Sequence, residues 1–442
     1  MTCFHRYRMV MMVVNKMKKV LLTVICLFLS FLLRAQQKNK VNYDESKVPP
    51  YTLEDPLSFA NGKKVRKAQW PKRREEILQI FQREMYGQLP PVPDTVVVET
   101  IEEGPTMADH ALRRQVRMWF RTDKTGPSIN WLILTPSFAK SPVPTVLMLN
   151  YYGNHTVIPD KEVIIPDIKC HLREPLSSFE RGWMLDPNAR SIIPANMILA
   201  RGYAYITACY EEFSPDPDGR ENQDNYAYTR IFDLWGVRDA TRDDNTTSLM
   251  AWAWALMRGM DLIEKEPLLD KNKVLLTGSS RLGKAALIAG AFDERFSVVV
   301  PNQTGGGGAP LNKRCFGENV QTEIQDYSHW YCRAFDKYAN NEKSMPFDQH
   351  LLLACVAPRA LMIQGFNQAW FDTKGEFLAL QAASPVWEML GKKGLPKVDF
   401  PADYDRSAIG QFVAYYHRPL AHGISAIDWQ WMLDFADDIF KQ

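Results

Sequence analysis

A three-layer α/β architecture, with a mostly parallel sheet covered by helices on both faces, follows from two features of the sequence. Short continuous apolar runs recur at 144–152 (PTVLMLNYY), 204–210 (AYITACY), 273–278 (KVLLTG), 296–302 (FSVVVPN) and 359–365 (RALMIQG). Unalternating runs of this length read as strands buried on both faces. Helical spacing fills several of the gaps, at 247–264, 282–291, 374–390 and 428–440. Strands alternating with helices build a parallel sheet with helices on either side. A hydrophobic content of 46% with 12% aromatic residues supplies core for one domain across 61–442.

The elements before that rhythm are read in chain order. Lys18 and Lys19 precede VLLTVICLFLSFLL, followed by Arg34, Ala35 and Gln36. A basic start, an apolar stretch and a small residue at the cut predict a signal peptide over 1–35 and an exported, periplasmic or secreted chain. The run falls short of the roughly 20 apolar residues of a spanning helix, so no stable membrane insertion is expected. Met17 reads as the natural start, and Cys26 has no small residue before it to mark a lipoprotein cut. Residues 36–60, with Pro49, Pro50 and Pro56, form an extended leader. In WPKRREEILQIFQREMY (70–86), Ile77, Leu78, Ile80, Phe81 and Met85 share a helical face, and Gly87 ends it. Strand-like segments follow near 94–102, 111–121 and 129–136. The irregular, proline-bearing stretch 155–200 has the length of a loop over a site.

Composition excludes several function classes. A net charge of +2 without a basic run in the body of the chain argues against nucleic acid as a partner. After the signal segment the cysteines are Cys170, Cys209, Cys315, Cys332 and Cys355, with no CxxC, so neither a disulfide scaffold nor a zinc site is expected; one disulfide stays open. Asp348 and His350 in PFDQH read as a hydrogen-bonded turn and not as metal ligands. No metal or other cofactor is called for, and the chain is expected to act as a monomer.

The chemistry centres on LLTGSSRLGKAAL (275–287). A buried strand runs into Gly278, Ser279 and Ser280 and then into a helix, the nucleophile-elbow context of an α/β-hydrolase. The G-x-S-x-G pattern is met in its first half. Position 282 is leucine, and the second glycine is displaced to Gly283. Small residues are needed because the serine backbone is strained and packs closely, and the helix N-terminus helps hold an oxyanion. Serine is also a favoured helix N-cap, so capping is the competing reading. A hydrolase of this order needs a late histidine as base. His422, on a loop before the terminal helix, fits, with His417 as its rival.

GSSRLGK, with Arg281 and Lys284, resembles the nucleophile motif of the glucuronoyl esterases, carbohydrate esterase family 15. The resemblance extends through LNYYGNHTV (149–157), LARGYAYITACY (199–210), TGGGGAPLNKRCFGENV (304–320), WFDTKGEF (370–377) and AHGISAIDWQWMLDFAD (421–437). It implies an α/β-hydrolase, a three-layer αβα sandwich, acting on uronic acid esters of plant cell-wall polysaccharide through an acyl-enzyme. By position it implies Ser280 as nucleophile, His422 as base and Arg281 as oxyanion partner. Lys284 and Glu318 would bind uronate hydroxyls, and Trp370 would line their pocket. Residue by residue, Lys284 could instead be a solvated helix position, Glu318 could pair with Arg314, and Trp370 could be core.

One part of the pattern is missing. A carboxylate that orients the histidine is carried in the family at one of two positions, occupied here by Gln303 and Gln368. An amide can hold an imidazole but cannot stabilise imidazolium as a carboxylate does. Asp372, after the late strand, is the first candidate acid, with a helix N-terminal role as its alternative. Otherwise Gln303 or Gln368, counted among the substrate-facing residues, orients a weaker Ser–His dyad. Two further readings stay open: a pectin methylesterase, and a catalytically weak carbohydrate-binding relative. A lipid or acetyl esterase fits less well, since Lys284 and Glu318 would make its acyl pocket polar.

Overall fold

The computed structural model describes residues 41–189, 191–217 and 223–441; the expected signal peptide and the first five leader residues lie outside them. Nine strands form one sheet: β1 (Val97–Thr106), β2 (Ala111–Trp119), β3 (Ser128–Pro136), β4 (Val143–Asn150), β5 (Ala204–Cys209), β6 (Leu269–Ser279), β7 (Val298–Asn302), β8 (Ala360–Phe366) and β9 (Val413–Arg418). Their spatial order is β1-β2-β3-β5-β4-β6-β7-β8-β9. β1 to β3 pair antiparallel, and β3 joins β5 antiparallel. From β5 to β9 every neighbour is parallel. The parallel part is the α/β sandwich expected from the apolar runs.

Alternate residues of each central strand enter opposite cores, as the two-residue strand period requires. Leu147, Leu276, Val299 and Leu361 enter one core. That core also holds the apolar residues of α1 (Trp70–Phe81), α2 (Ser248–Ile263), α3 (Arg281–Phe292) and α4 (Thr373–Ala383). Val146, Leu275, Val298 and Met362 enter the other, with the apolar face of the terminal helix (Ala426–Phe440). Both faces are therefore covered.

Two expectations change. The pattern over 374–390 is two helices: α4 ends before Ser384, and Pro385 opens α5 (Pro385–Leu390), because proline suits a first helical turn but cannot continue a helix. The terminal helix is then α6. β9 is a further strand beyond those expected; its apolar run FVAYY leads into His417 and Arg418.

The five described cysteines are free thiols. No described helix is long and apolar enough to cross a membrane.

Candidate active site

The carboxyl ends of β6, β7 and β8 and the loop after β9 converge on Ser280. β6 ends at Ser279 and α3 begins at Arg281, leaving Ser280 alone at the turn with φ 56° and ψ −129°. Positive φ in a non-glycine residue is strained and persists only where the surroundings enforce it. Here they do: Ser280 N–H donates to Asn302 O of β7 at 2.9 Å, and Ser280 O accepts from Lys284 N–H at 2.9 Å. A Cβ on Gly278 would lie 2.2 Å from Leu282 O, and one on Gly283 2.7 Å from Asn302 O. The displaced glycine thus serves the same close approach as its counterpart in the usual pattern. The Ser280 side chain makes no capping bond, which removes the helix-cap reading. A cavity of about 80 Å³ opens onto it, lined by Tyr151, Tyr152, His171, Ser280, Arg281 and His422.

His422 reaches this cavity from the turn between β9 and α6. Its ring stacks on Phe371 with centroids 5.0 Å apart and packs against Phe366 at 5.4 Å. The turn is held from below by Gln303. Gln303 Nε2 donates to Gly423 O at 2.8 Å, and Gly423 N–H donates to Gln303 Oε1 at 2.8 Å. Arg418 also donates to Gly423 O and to Ala421 O, and its Nε bonds Asp428 at 2.6 Å. Gln303 is buried with both amide ends on Gly423. It is a clamp on the histidine turn, and the expectation that it faces substrate is corrected accordingly. Gln368 is exposed in the turn after β8. The rival His417 sits on β9 with Nδ1 2.8 Å from Asp403 and does not line the cavity.

Asp372 is buried at the start of α4. Its carboxylate accepts from Arg314 Nε at 2.8 Å, from Arg314 Nη2 at 3.2 Å and from Gly375 N–H at 3.1 Å. These are the bonds of the alternative role, a helix cap anchored to an arginine. Burial pushes its carboxyl up, against the pull of Arg314.

Arg281 and Lys284 lie on the first turn of α3. Arg281 donates to Asp216, a buried carboxylate that also accepts from Tyr210 Oη at 2.8 Å, His329 Nε2 at 2.7 Å and Trp330 Nε1 at 2.9 Å. Burial opposes ionisation of Asp216, but Arg281 and these donors hold its carboxyl well below the usual range. The Arg281 guanidinium lies over Trp330 at 4.9 Å and Tyr327 at 5.5 Å. A cation held by a carboxylate that is itself fixed by three other donors, and by ring faces, needs little reorganisation when charge develops beside it.

Lys284 is 3% exposed, so it is not a solvated helix residue. Its Nζ lies 3.8 Å from Glu318 Oε2 and 4.9 Å from the Trp330 ring. Glu318 accepts from Gly306 N–H at 2.9 Å, and its own N–H donates to Trp370 O at 2.7 Å. The alternative pairing with Arg314 is not made; Arg314 bonds Asp372 and Glu45. Burial pushes the carboxyls of Glu318 and neighbouring Glu323 up, while Lys284 pulls them down. Trp370 is half-buried on the following turn.

Asp216, His171 and Glu211 belong to no motif of the sequence. Glu211 and Asp216 follow β5 directly in YEEFSPDP, where the carboxyl ends of parallel strands carry ligand-facing groups; that placement was the available signal.

Among the described residues no group of three metal-ligating side chains occurs. Asp348 accepts backbone N–H bonds from Asn312, Lys313 and Gln349. His350 Nε2 lies 2.7 Å from Glu54 O. The expected turn is instead a helix start: Asp348 caps the helix Gln349–Ala354, which carries His350. Burial, with Lys313 and Arg73 nearby, pushes His350 down to about 4. A base depressed on folding contributes stability that is complete above its unfolded value near 6.5 and is lost as pH falls toward 4. The contribution is on the order of 3 kcal/mol. His350→Gln should therefore show a shallower fall of Tm between pH 6.5 and 4 than wild type in calorimetry; an unchanged slope would refute it.

Residues 190–391 match the family described as "Glucuronyl esterase, fungi". A carbohydrate esterase of an unknown prokaryotic organism is 34% identical over 408 residues, 91% of this chain and 92% of that protein. The 4-O-methyl-glucuronoyl methylesterase of Podospora anserina is 26% identical, over 82% of this chain and 67% of its own. Among solved structures, the glucuronoyl esterase from Solibacter usitatus superposes with a TM-score of 0.82 at 34% identity, covering 90% of this chain and 100% of that one. A promiscuous family 15 esterase from a marine bacterial metagenome gives 0.80 at 34% identity, covering 90% and 99%.

Proposed function

The chain belongs to the glucuronoyl esterases, carbohydrate esterase family 15, and from that premise we propose how its residues hydrolyse a uronic acid ester. Ser280 attacks the ester carbonyl, and His422 takes its proton. Arg281 and the N–H groups opening α3 hold the oxyanion. The acyl-enzyme is then released by water. Lys284 and Glu318 bind the uronate hydroxyls, with Trp370 at the edge of that pocket. The observation that carries this reading is the shared cavity: a serine on a strained turn, a histidine and a fixed arginine face one space.

The imidazole of His422 is oriented by the Phe371 face and by the Gln303 clamp under its turn. Asp372 serves as an anchor of α4. The substrate is a glucuronate ester in polysaccharide; a methyl galacturonate ester, the substrate of a pectin methylesterase, is the second reading. The protein acts outside the cytoplasm, in keeping with Lys18–Lys19 and the apolar run after them.

Purified mature chain should cleave methyl glucuronate ester faster than methyl-esterified galacturonan, and either faster than an acetylated sugar. Lys284→Met should lower kcat/KM on the glucuronate ester by about 100-fold, because an unfilled site for a sugar hydroxyl is costly. On an aryl acetate the loss should be far smaller. Equal losses on both would sink the sugar-binding role, and preference for galacturonan would select the second reading.

A further inference from the structure

A second imidazole opens onto the same cavity. His171 comes from the long loop before β5 and lines the space with Ser280, Arg281 and His422. Its Nδ1 lies 3.4 Å from Glu211 Oε1, with the imidazole 15% and the carboxylate 6% exposed. Glu211 stands in the turn that follows β5, Tyr210–Phe213. The His171 ring is walled by Tyr151 at 5.5 Å, Tyr152 at 5.9 Å and Tyr210 at 6.4 Å between centroids. A carboxylate beside Nδ1 favours a proton on that nitrogen. Nε2 is then the nitrogen left for chemistry in the cavity.

We propose that His171 and Glu211 are a second acid–base pair of this active site: Glu211 positions His171, and His171 protonates the departing alcohol. The proposal rests on the esterase reading above. In acylation, Ser280 Oγ bonds the ester carbonyl carbon and its proton passes to His422. The carbon–alcohol oxygen bond breaks, and that oxygen takes a proton from the His171 imidazolium. In deacylation, water bonds the acyl carbon and gives a proton to His171, while Ser280 Oγ leaves and takes the proton from His422. Both histidines return to their starting states, and the acid product ionises into solvent.

The surroundings suit this division of labour. The Asp372 carboxylate is bound to Arg314 and the α4 cap, whereas Glu211 faces an imidazole already in the cavity. The ionisable groups around His171 are Glu211 behind it, the phenols of Tyr151, Tyr152 and Tyr210 beside it, and Arg281 across the cavity. Burial pushes the Tyr151 and Tyr210 phenols up, which keeps them neutral. Burial also raises the Glu211 carboxyl, with His171 opposing and Asp216 adding to it.

The test is the dependence of rate on the leaving alcohol, with the full mature chain and three glucuronate esters: 4-nitrophenyl, benzyl and methyl. His171→Gln should lower kcat/KM about 10³-fold on the methyl ester and about tenfold on the 4-nitrophenyl ester, since a good leaving group needs less protonation in acylation and the shared deacylation step does not enter kcat/KM. Glu211→Gln, which keeps size, should steepen the dependence in the same direction with smaller losses. It carries the test should His171→Gln fail to fold. An equal loss across the three esters, or none, in a folded variant overturns the proposal while leaving the esterase reading standing. If wild type cleaves none of the esters, both fall.

Discussion

Ser280→Ala is expected to lower kcat on a methyl glucuronate ester by about 10⁴- to 10⁶-fold, the range seen when a serine nucleophile is removed. Tm should move little. The turn is enforced by backbone bonds to Asn302 and Lys284 and by the glycines at 278 and 283, none of which involves the serine side chain. The strain at φ 56° is a backbone property that alanine shares. Initial rates should be read beside a thermal melt, and a burst of alcohol before steady state should vanish with the hydroxyl. Activity retained within about tenfold would mean that Ser280 is not the nucleophile.

The second large effect is expected at Asp216, just beyond the 199–210 block and 65 residues from Arg281. Asp216→Asn removes the charge that fixes Arg281 while keeping the shape of the site. Loss of one preorganised oxyanion partner costs about 10² to 10³ in kcat, and that is the expected fall. Stability should drop by roughly 3–5 kcal/mol, because Arg281 is left shielded from water without its counter-ion. The informative experiment is a cycle with Arg281→Met. If Asp216 acts through Arg281, the double variant should lose little more activity than Arg281→Met alone. Additive losses would show that Asp216 works by another route.

These two residues also show what the sequence could reveal. The elbow is local: strand, turn and helix occupy about 20 consecutive residues, and its small residues follow from strain that any such turn carries. Ser280 could therefore be read directly, and Lys284 and Glu318 came with the surrounding motif. The network around Asp216 is not local. It joins Asp216 to His329 across 113 residues and to Arg281 across 65, and no periodicity marks such a meeting. His171 lies in a segment without helical or strand spacing, so only the folded chain brings it to the cavity. Asp372 shows the opposite failure. It follows the late strand where an acid was sought, yet a single-residue change of backbone direction, φ 45° at Asp372 itself, commits its carboxylate to the helix start and Arg314.

The amide at 303 has a consequence for how this protein can change over generations. Gln303 both donates to and accepts from Gly423. A carboxylate can only accept. Glutamate at 303 would set a lone pair against the Gly423 carbonyl, leaving Arg418 as the donor there. An acid can enter this position only together with an adjustment of the 421–424 turn, or after one. The cost of an acid at 303 is thus set by a neighbour's backbone and not by the residue alone.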